Sequence, residues 1–235
     1  LIDQSKIYEV EAQLGQSTDT GDAEGKISGS SDIFQHKKEF WTQVTEGFLG
    51  ETDQIPPMYS ALKHKGKRLY KIARSGRTVE RSPRKVTIHS IDITKISKDS
   101  IRFSVHCSKG TYIRVLVEDI AKSAGMLAYT SFLRRLRVGQ FNQSQMIEFG
   151  ELKSKLIEHY ESLNKYLIPI EDALYNFQNI ELNHEQVKKF LNGQRLNFNL
   201  NDSGHIKVFD QDQNLLGIAT QVDNSVIAPK RIFHL

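Results

Sequence analysis

Apolar residues recur along the chain with two different periods. Ile7, Val10, Ala12 and Leu14 read as a short strand that runs into a polar loop, Gly15 to Gly29, rich in Ser, Thr, Asp and Gly. From about Asp32 to Phe48 the period lengthens. Phe40, Trp41, Val44 and Phe48 share one helical face, Gly50 marks a stop, and Pro56-Pro57 closes the region. Val86, Ile88, Ile91 and Ile93 predict a long strand, and Ile101, Phe103, Val105 and Cys107 alternate with Arg102, Ser104 and His106. With Lys98-Asp99 between them, the two runs predict a β-hairpin. Helical spacing returns from about Tyr112 to Ala124, with Ile113, Leu116, Val117, Ile120 and Ala121 in one stripe and Gly125 after it. A further helix is expected from about Gly150 to Leu163.

Around Pro169 the texture changes. A helix from Asn183 to Leu191, ended by Gly193, precedes strand-like runs at His205 to Phe209, Leu215 to Ala219, Ser225 to Ala228 and Arg231 to Leu235. Residues Asp210 to Asn214 form a turn between two of them. A boundary is placed near residues 164 to 176, giving domains 1–167 and 168–235. The class is α+β: a mixed sheet with flanking helices, followed by a small β-rich module.

Composition narrows the function classes. The 235 residues are 38% hydrophobic and 26% charged, enough for one large or two modest domains, and disorder or a collagen repeat is excluded. No window approaches the about 18 apolar residues of a membrane span, and Leu1 to Val10 is too polar for a signal peptide, so a cytoplasmic protein without a membrane partner is expected. Cys107 is the single cysteine, which fits a reducing compartment. The eight His residues are scattered with no HExxH pair, so no metal is expected. GxxxxGK[ST], GxGxxG and GxSxG are all missing, which argues against a nucleotide cofactor and against a serine hydrolase. Three carboxylates in the loop Thr18 to Gly25 do not follow EF-hand spacing; turns held by Asx-type hydrogen bonds are the better reading.

The net charge of +4 is modest, but its distribution is not. Between Lys63 and Lys85 stand ten basic residues and one acid, Glu80, so the remainder of the chain is net acidic. Such a block is either a solvated face or a phosphate-binding surface. Leu69, Tyr70, Ile72 and Ala73 at helical spacing, with Gly76 after them, favour an ordered basic helix and loop, and with it nucleic acid. A second cluster, Arg134, Arg135 and Arg137, alternates with Leu133, Leu136 and Val138: a strand with exposed Arg side chains, or a second phosphate-contacting surface. At the strand-to-helix junction Cys107 to Arg114, residues Lys109, Tyr112 and Arg114 are close enough to hold an anion and stack on a planar group. An amphipathic helix start fits the same spacing.

At this junction the sequence resembles the bacterial TruB-type tRNA pseudouridine synthases, over essentially the whole chain. The matching stretches are Tyr8-Glu9-Val10, Leu14 to Asp22, Gln54 to Lys63, His106 to Arg114, and Leu133-Arg134-Arg135-Leu136. Leu191-Asn192-Gly193-Gln194, Gly217-Ile218-Ala219 and Ala228-Pro229-Lys230-Arg231 resemble a PUA-like RNA-binding module.

The resemblance implies isomerisation of uridine to pseudouridine at position 55 in the tRNA T arm, by a monomer without a cofactor, on a base flipped from its stack. It implies that Tyr8 packs against the base and acts in late proton removal, that Tyr112 and Leu133 line the base pocket with Lys109 nearby, and that Asp22 supports the site. Arg114 would pair with the catalytic carboxylate and keep it ionised. The loop at about 56–85 would grip the T arm through Lys63, Lys65, Lys67, Arg68, Lys71 and Arg74, with Arg134 and Arg135 as further backbone contacts.

The family's catalytic Asp lies in a Gly-Thr-Leu-Asp-Pro-like motif upstream of the Tyr8 stretch. No Asp here has that context: Asp3 sits in Leu-Ile-Asp-Gln, and Asp19, Asp22 and Asp119 belong to other matched segments. The family activity is therefore expected of a parent protein carrying the motif, and these 235 residues alone are expected to bind tRNA weakly and convert nothing. The alternative is a non-catalytic tRNA-binding or RNA-folding protein.

Overall fold

The computed structural model describes residues 1–158, 160–198 and 204–233. They divide into two compact units, Leu1–Met146 and Ile147–Leu235. In the first, the order is β1 (Lys6–Leu14), β2 (Gln16–Thr18), β3 (Ile27–Ser30), α1 (Lys38–Glu46), β4 (Gly50–Gln54), β5 (Lys63–His64), β6 (Lys67–Arg68), α2 (Leu69–Arg74), β7 (Arg84–Ile96), β8 (Ser100–Cys107), α3 (Ile113–Ser123), β9 (Ala128–Val138) and β10 (Phe141–Asn142). The second contains α4 (Phe149–Glu158), a 3-10 turn (Tyr160–Tyr166), α5 (Ile170–Ala173), β11 (Gln178–Glu181), α6 (His184–Leu191), β12 (Leu196–Asn197), β13 (His205–Phe209), β14 (Leu215–Asp223) and β15 (Val226–Ile232).

The first unit is built on a six-stranded sheet in the order β10-β9-β1-β8-β7-β4. Period-two alternation in β1 and β8 puts Val10, Ala12 and Leu14 on one face with Ile101, Phe103, Val105 and Cys107, all buried. Helix α3 covers that face because its buried residues, Ile113, Leu116, Val117, Ile120 and Ala121, follow the i, i+3, i+4, i+7 rule. Trp41 of α1 completes the core. On the opposite face Arg102 reaches Glu9 at 3.5 Å and Glu11 at 3.0 Å across neighbouring strands. Truncating the fully buried Phe103 to Ala would cost about 3–5 kcal/mol, the loss of a large core side chain plus its cavity.

The direction of α3 positions the site. Strand β8 ends at Cys107 opposite Lys6, and β9 begins at Ala128 opposite Leu14. Both are antiparallel to β1, hence parallel to each other, and a parallel connection requires a crossover. Helix α3 supplies it, so its N-terminus lies at the Lys6–Tyr8 end and its C-terminus at the Leu14 end, where the Gly15 N–H donates to Leu127 O at 2.8 Å.

Several expectations are corrected. The helix predicted from about Asp32 begins only at Lys38, because Ser31 and Phe34 are tied down as irregular chain by Ser31 N–H to Gly15 O at 2.8 Å and Phe34 N–H to the Met126 sulfur at 3.4 Å. The polar loop Gly15 to Gly29 contains the β2–β3 hairpin. The helix expected to reach Leu163 gives way to the 3-10 turn, and residue 159 lies outside the described residues. All pairings in the six-stranded sheet are antiparallel; the parallel ladder expected of a mixed sheet is β11–β13, in the second unit.

That unit carries a five-stranded sheet, β11-β13-β14-β15-β12, over a core of Leu182, Phe190, Ile206, Val208, Ala219 and Ile227. The two short strands expected at its end are one, β15. Pro229 is accommodated within it because the register against β14 slips between Ile218 and Ala219. Residues 234 and 235 of the last predicted run lie outside the described residues. Helix α6 is fixed by a capping box between Asn183 and Gln186. Among the described residues no helix is long and apolar enough to cross a membrane.

Candidate functional site

Two groups of side chains meet the N-terminal end of α3. The first is organised by Arg114, the second residue of the helix, which points away from the apolar stripe. Its Nη1 donates to Asp22 Oδ2 at 2.8 Å and to the Thr20 carbonyl at 2.9 Å, and its Nη2 donates to the Tyr59 carbonyl at 2.8 Å. Three of the five N–H groups of the guanidinium are thereby committed, which fixes the plane of the ring-like fork and leaves Nε–H and one Nη2–H for another acceptor.

Asp22 is itself held. Thr20 Oγ1 donates to its Oδ1 at 2.7 Å, the Glu24 N–H donates to the same oxygen at 3.2 Å, and its backbone bridges Thr130 of β9. Gly21 makes this possible. It has φ +72°, and a Cβ there would lie 2.6 Å from Glu118 Oε1. Glu118 stands one turn beyond Arg114; burial pushes its carboxyl above the usual range, the neighbouring Asp119 adds to this, and Arg114 opposes it.

The second group lies on the sheet. Tyr8 is opposite Arg135 and Val10 is opposite Leu133, so Tyr8, Leu133 and Arg135 share the α3-bearing face with the core. Beyond the helix N-terminus that face is open: Leu133 is 45% exposed, and Tyr8 is only partly buried against the core. The Arg135 guanidinium sits over the Tyr8 ring, 5.4 Å from its centroid. Alternation separates Arg134 from this group. It pairs with Glu9, on the opposite face, although the sequence places the two arginines together.

Tyr112 joins the groups as the N-cap residue of α3. Its backbone is clamped by the buried Gln54: Tyr112 N–H donates to Gln54 Oε1 at 2.7 Å, and Gln54 Nε2 donates to Tyr112 O at 3.1 Å. The sequence reading did not single out Gln54. Its signal was a place at the head of the Gln54-Ile55-Pro56-Pro57 stretch. Lys109 is paired with Asp3, which the ammonium holds below the ordinary carboxylate range, so its charge reaches the site only as part of a cationic rim. Lys6 belongs to the same rim: burial and the Arg135 charge lower its pKa. The buried Cys107 thiol is pushed up by burial and is no nucleophile.

The basic block is ordered. Lys63, Lys65, Lys67 and Arg68 lie on the β5–β6 hairpin, whose turn uses Lys65 at φ 46° and Gly66 at φ 81°, and Lys71 and Arg74 lie on α2. Leu69 and Ile72 of α2 are buried, so the block is anchored by apolar contacts while its cations face outward.

Comparison with known proteins gives matches along the chain. Residues 1–113 match the TruB family pseudouridylate synthase N-terminal domain, residues 114–175 the tRNA pseudouridylate synthase B C-terminal domain, and residues 179–233 the pseudouridine synthase II TruB C-terminal region. The tRNA pseudouridine synthase B of Actinobacillus pleuropneumoniae is 38% identical over 239 residues, covering 100% of this chain and 78% of that protein. That of Pseudomonas fluorescens is also 38% identical, covering 99% of this chain and 76% of its own length. In fold, the chain resembles a structure described as a Cbf5-Nop10-Gar1 complex, with a TM-score of 0.69 at 19% identity, covering 100% of this chain and 68% of the other.

Proposed function

The chain belongs to the TruB family of pseudouridylate synthases, an isomerase family, and from that premise we propose that it converts uridine-55 in the T arm of tRNA to pseudouridine. The observation that carries the proposal is the fixed guanidinium of Arg114 at one edge of an open sheet face bearing Tyr8 and Leu133.

The reaction breaks the bond from C1′ to N1, turns the base, forms a bond from C1′ to C5 and moves the C5 proton to N1. Atoms balance without a cofactor. In the T arm the base is stacked, so it is extruded first, at about a few kcal/mol. In this reading Leu133 and the Tyr8 ring receive its faces. Tyr112 closes the pocket from the helix end, and Tyr8 takes part in removal of the C5 proton. The two uncommitted N–H groups of Arg114 orient the catalytic carboxylate, and a fork already fixed by Asp22, Thr20 and Tyr59 spends no reorganisation at the moment of reaction.

No Asp of these 235 residues stands in the Gly-Thr-Leu-Asp-Pro-like context, and Asp22 is engaged in holding Arg114. The proposal assigns the nucleophile to that motif and assigns RNA binding without conversion to these residues taken alone. The cationic rim and the basic hairpin would hold the RNA backbone, Arg135 from the Tyr8 face. In function, residues 1–167 would form the catalytic domain, a monomer working in the cytoplasm, and residues 168–235 a PUA-like RNA-binding domain.

Release of tritium from C5-labelled uridine in tRNA tests this. With the Asp motif in the same polypeptide, release is expected from tRNA with uridine at position 55 and not from tRNA with cytidine there. Tight tRNA binding without release from either would support a non-catalytic RNA-binding protein instead.

A further inference from the structure

The first unit contains a second concavity, whose lining includes neither Tyr8 nor Arg114. Hairpin strand β5 and the segment 80–84 that returns to β7 enclose a cleft of about 330 Å³, within the range of about 300–1,000 Å³ typical of small-molecule sites. Its lining is part apolar, from Leu62 beside the edges of the buried Pro56 and Leu69, and part cationic, from Lys63, Arg81 and Arg84. Glu80 also lines it, leaving a net positive lining.

The cations are not equivalent. Lys85, next in sequence, is engaged by Glu51 at 3.3 Å and Asp53 at 3.5 Å. Among the described residues no salt bridge joins Lys63 or Arg84 to an acid. Arg81 donates from Nη1 to the Pro56 carbonyl at 3.1 Å, while its Nε–H is buried with no hydrogen-bond partner. A buried donor left unsatisfied costs about 1–3 kcal/mol, more on a charged group. The lining therefore offers an anion two cations without acidic partners beside an incompletely satisfied guanidinium, with apolar surface next to them at Leu62.

We propose that this cleft holds one nucleotide of the bound RNA other than the uridine being isomerised, its phosphate on Lys63 and Arg84 and its base against Leu62 and the accessible edges of Pro56 and Leu69. The inference rests on the RNA-modifying role proposed above. An isolated phosphate leaves the apolar surface wet, and a nucleoside leaves the cations unmatched; a nucleotide satisfies both. A phosphodiester carries one negative charge, and together with Glu80 it offsets two of the three cations of the lining. The basic block then does more than attract RNA: it fixes the register of the strand by seating one unstacked residue.

The test titrates the full chain with the four nucleoside 5′-monophosphates, with the matching nucleosides and with inorganic phosphate, following the methyl resonances of Leu62 and Leu69. Saturable shifts with at least one monophosphate are expected, with inorganic phosphate and nucleosides about tenfold weaker or worse. The double variant Lys63→Gln/Arg84→Gln should weaken the monophosphate about tenfold or more. Leu62→Trp should fill the apolar side, abolishing the preference for nucleotide over phosphate, and keeps the question answerable if the double variant does not fold. Equal binding of phosphate and nucleotide, or methyl groups that stay unmoved through millimolar nucleotide, overturns the inference. Uridine conversion is measured separately with the Asp motif present: failure there overturns the family reading, whereas conversion without nucleotide binding overturns only the cleft.

Discussion

Gly21 and Glu118 meet at a point where neither has slack. At φ +72° the backbone favours glycine, and the carboxylate of Glu118 fills the space a Cβ would need. Glu118 is pushed up mainly by burial, so the folded protein binds its proton more tightly than the unfolded chain does. Its stability contribution is therefore fully present below the unfolded carboxylate pKa and is lost as pH rises through the higher folded value. Glu118→Gln should stabilise the protein near neutral pH and remove this component of the pH dependence, read as the difference between variant and wild-type denaturation curves from pH 4 to pH 8. Identical slopes would show that Glu118 titrates as it does in the unfolded chain. Gly21→Ala should cost about 1–3 kcal/mol, the range for a residue held in a disfavoured backbone region, and should displace Asp22 from Arg114. Chemical denaturation checks the first effect, and loss of conversion at unchanged fold content, with the Asp motif in the same polypeptide, checks the second.

Elements were legible where one face is buried and opaque where pairing alone makes the element. Strands β1 and β8 and helix α3 carry periods of two and 3.6 that the core imposes. Strand β4, Gly-Glu-Thr-Asp-Gln, has no apolar residue and exists because it hydrogen-bonds to the edge of β7. The excess helix predicted from Asp32 to Lys37 extends the apolar period of Phe40, Trp41, Val44 and Phe48 back over chain that ties to Gly15 and Met126 hold irregular. At the site, motif resemblance singled out Arg114 and Asp22, which the structure brings together. It could not show which of Arg134 and Arg135 shares the Tyr8 face, because alternation only separates the two and register decides between them. Nor could it single out Gln54, since a glutamine that clamps a helix start looks like any other until the backbone it holds is known. Gln54→Ala would leave the Tyr112 N–H and C=O without their partner, a loss of about 1–3 kcal/mol. Hydrogen exchange should then rise in the first turn of α3 before it rises elsewhere; uniform acceleration would mean that the clamp is not local.

For the whole molecule, the proposed hold on RNA follows from the charge distribution. A net +4 says little, while the ordered hairpin and α2 put Lys63, Lys65, Lys67, Arg68, Lys71 and Arg74 on one segment. Each neutralised phosphate contributes about 0.7–0.9 to the slope of log affinity against log salt. Replacing Lys65, Lys67 and Arg68 together by Gln should lower that slope by about two to three and weaken T-arm binding at low salt most; an unchanged slope would place the RNA elsewhere.

Arg114 is a different kind of cation, fixed by Asp22 and two carbonyls, and the proposed function assigns it to chemistry more than to affinity. The most direct measurement is the single-turnover rate of tritium release from C5-labelled uridine in a T-arm hairpin. It compares wild type with Arg114→Lys at saturating RNA, with the Asp motif in the same polypeptide. A lysine keeps the charge but cannot hold Asp22, two carbonyls and a further carboxylate in one plane. The rate should fall about 100-fold or more, with RNA affinity changed by no more than about threefold. An unchanged rate, or a loss that merely follows weakened binding, would contradict the assignment of Arg114 to the reacting centre.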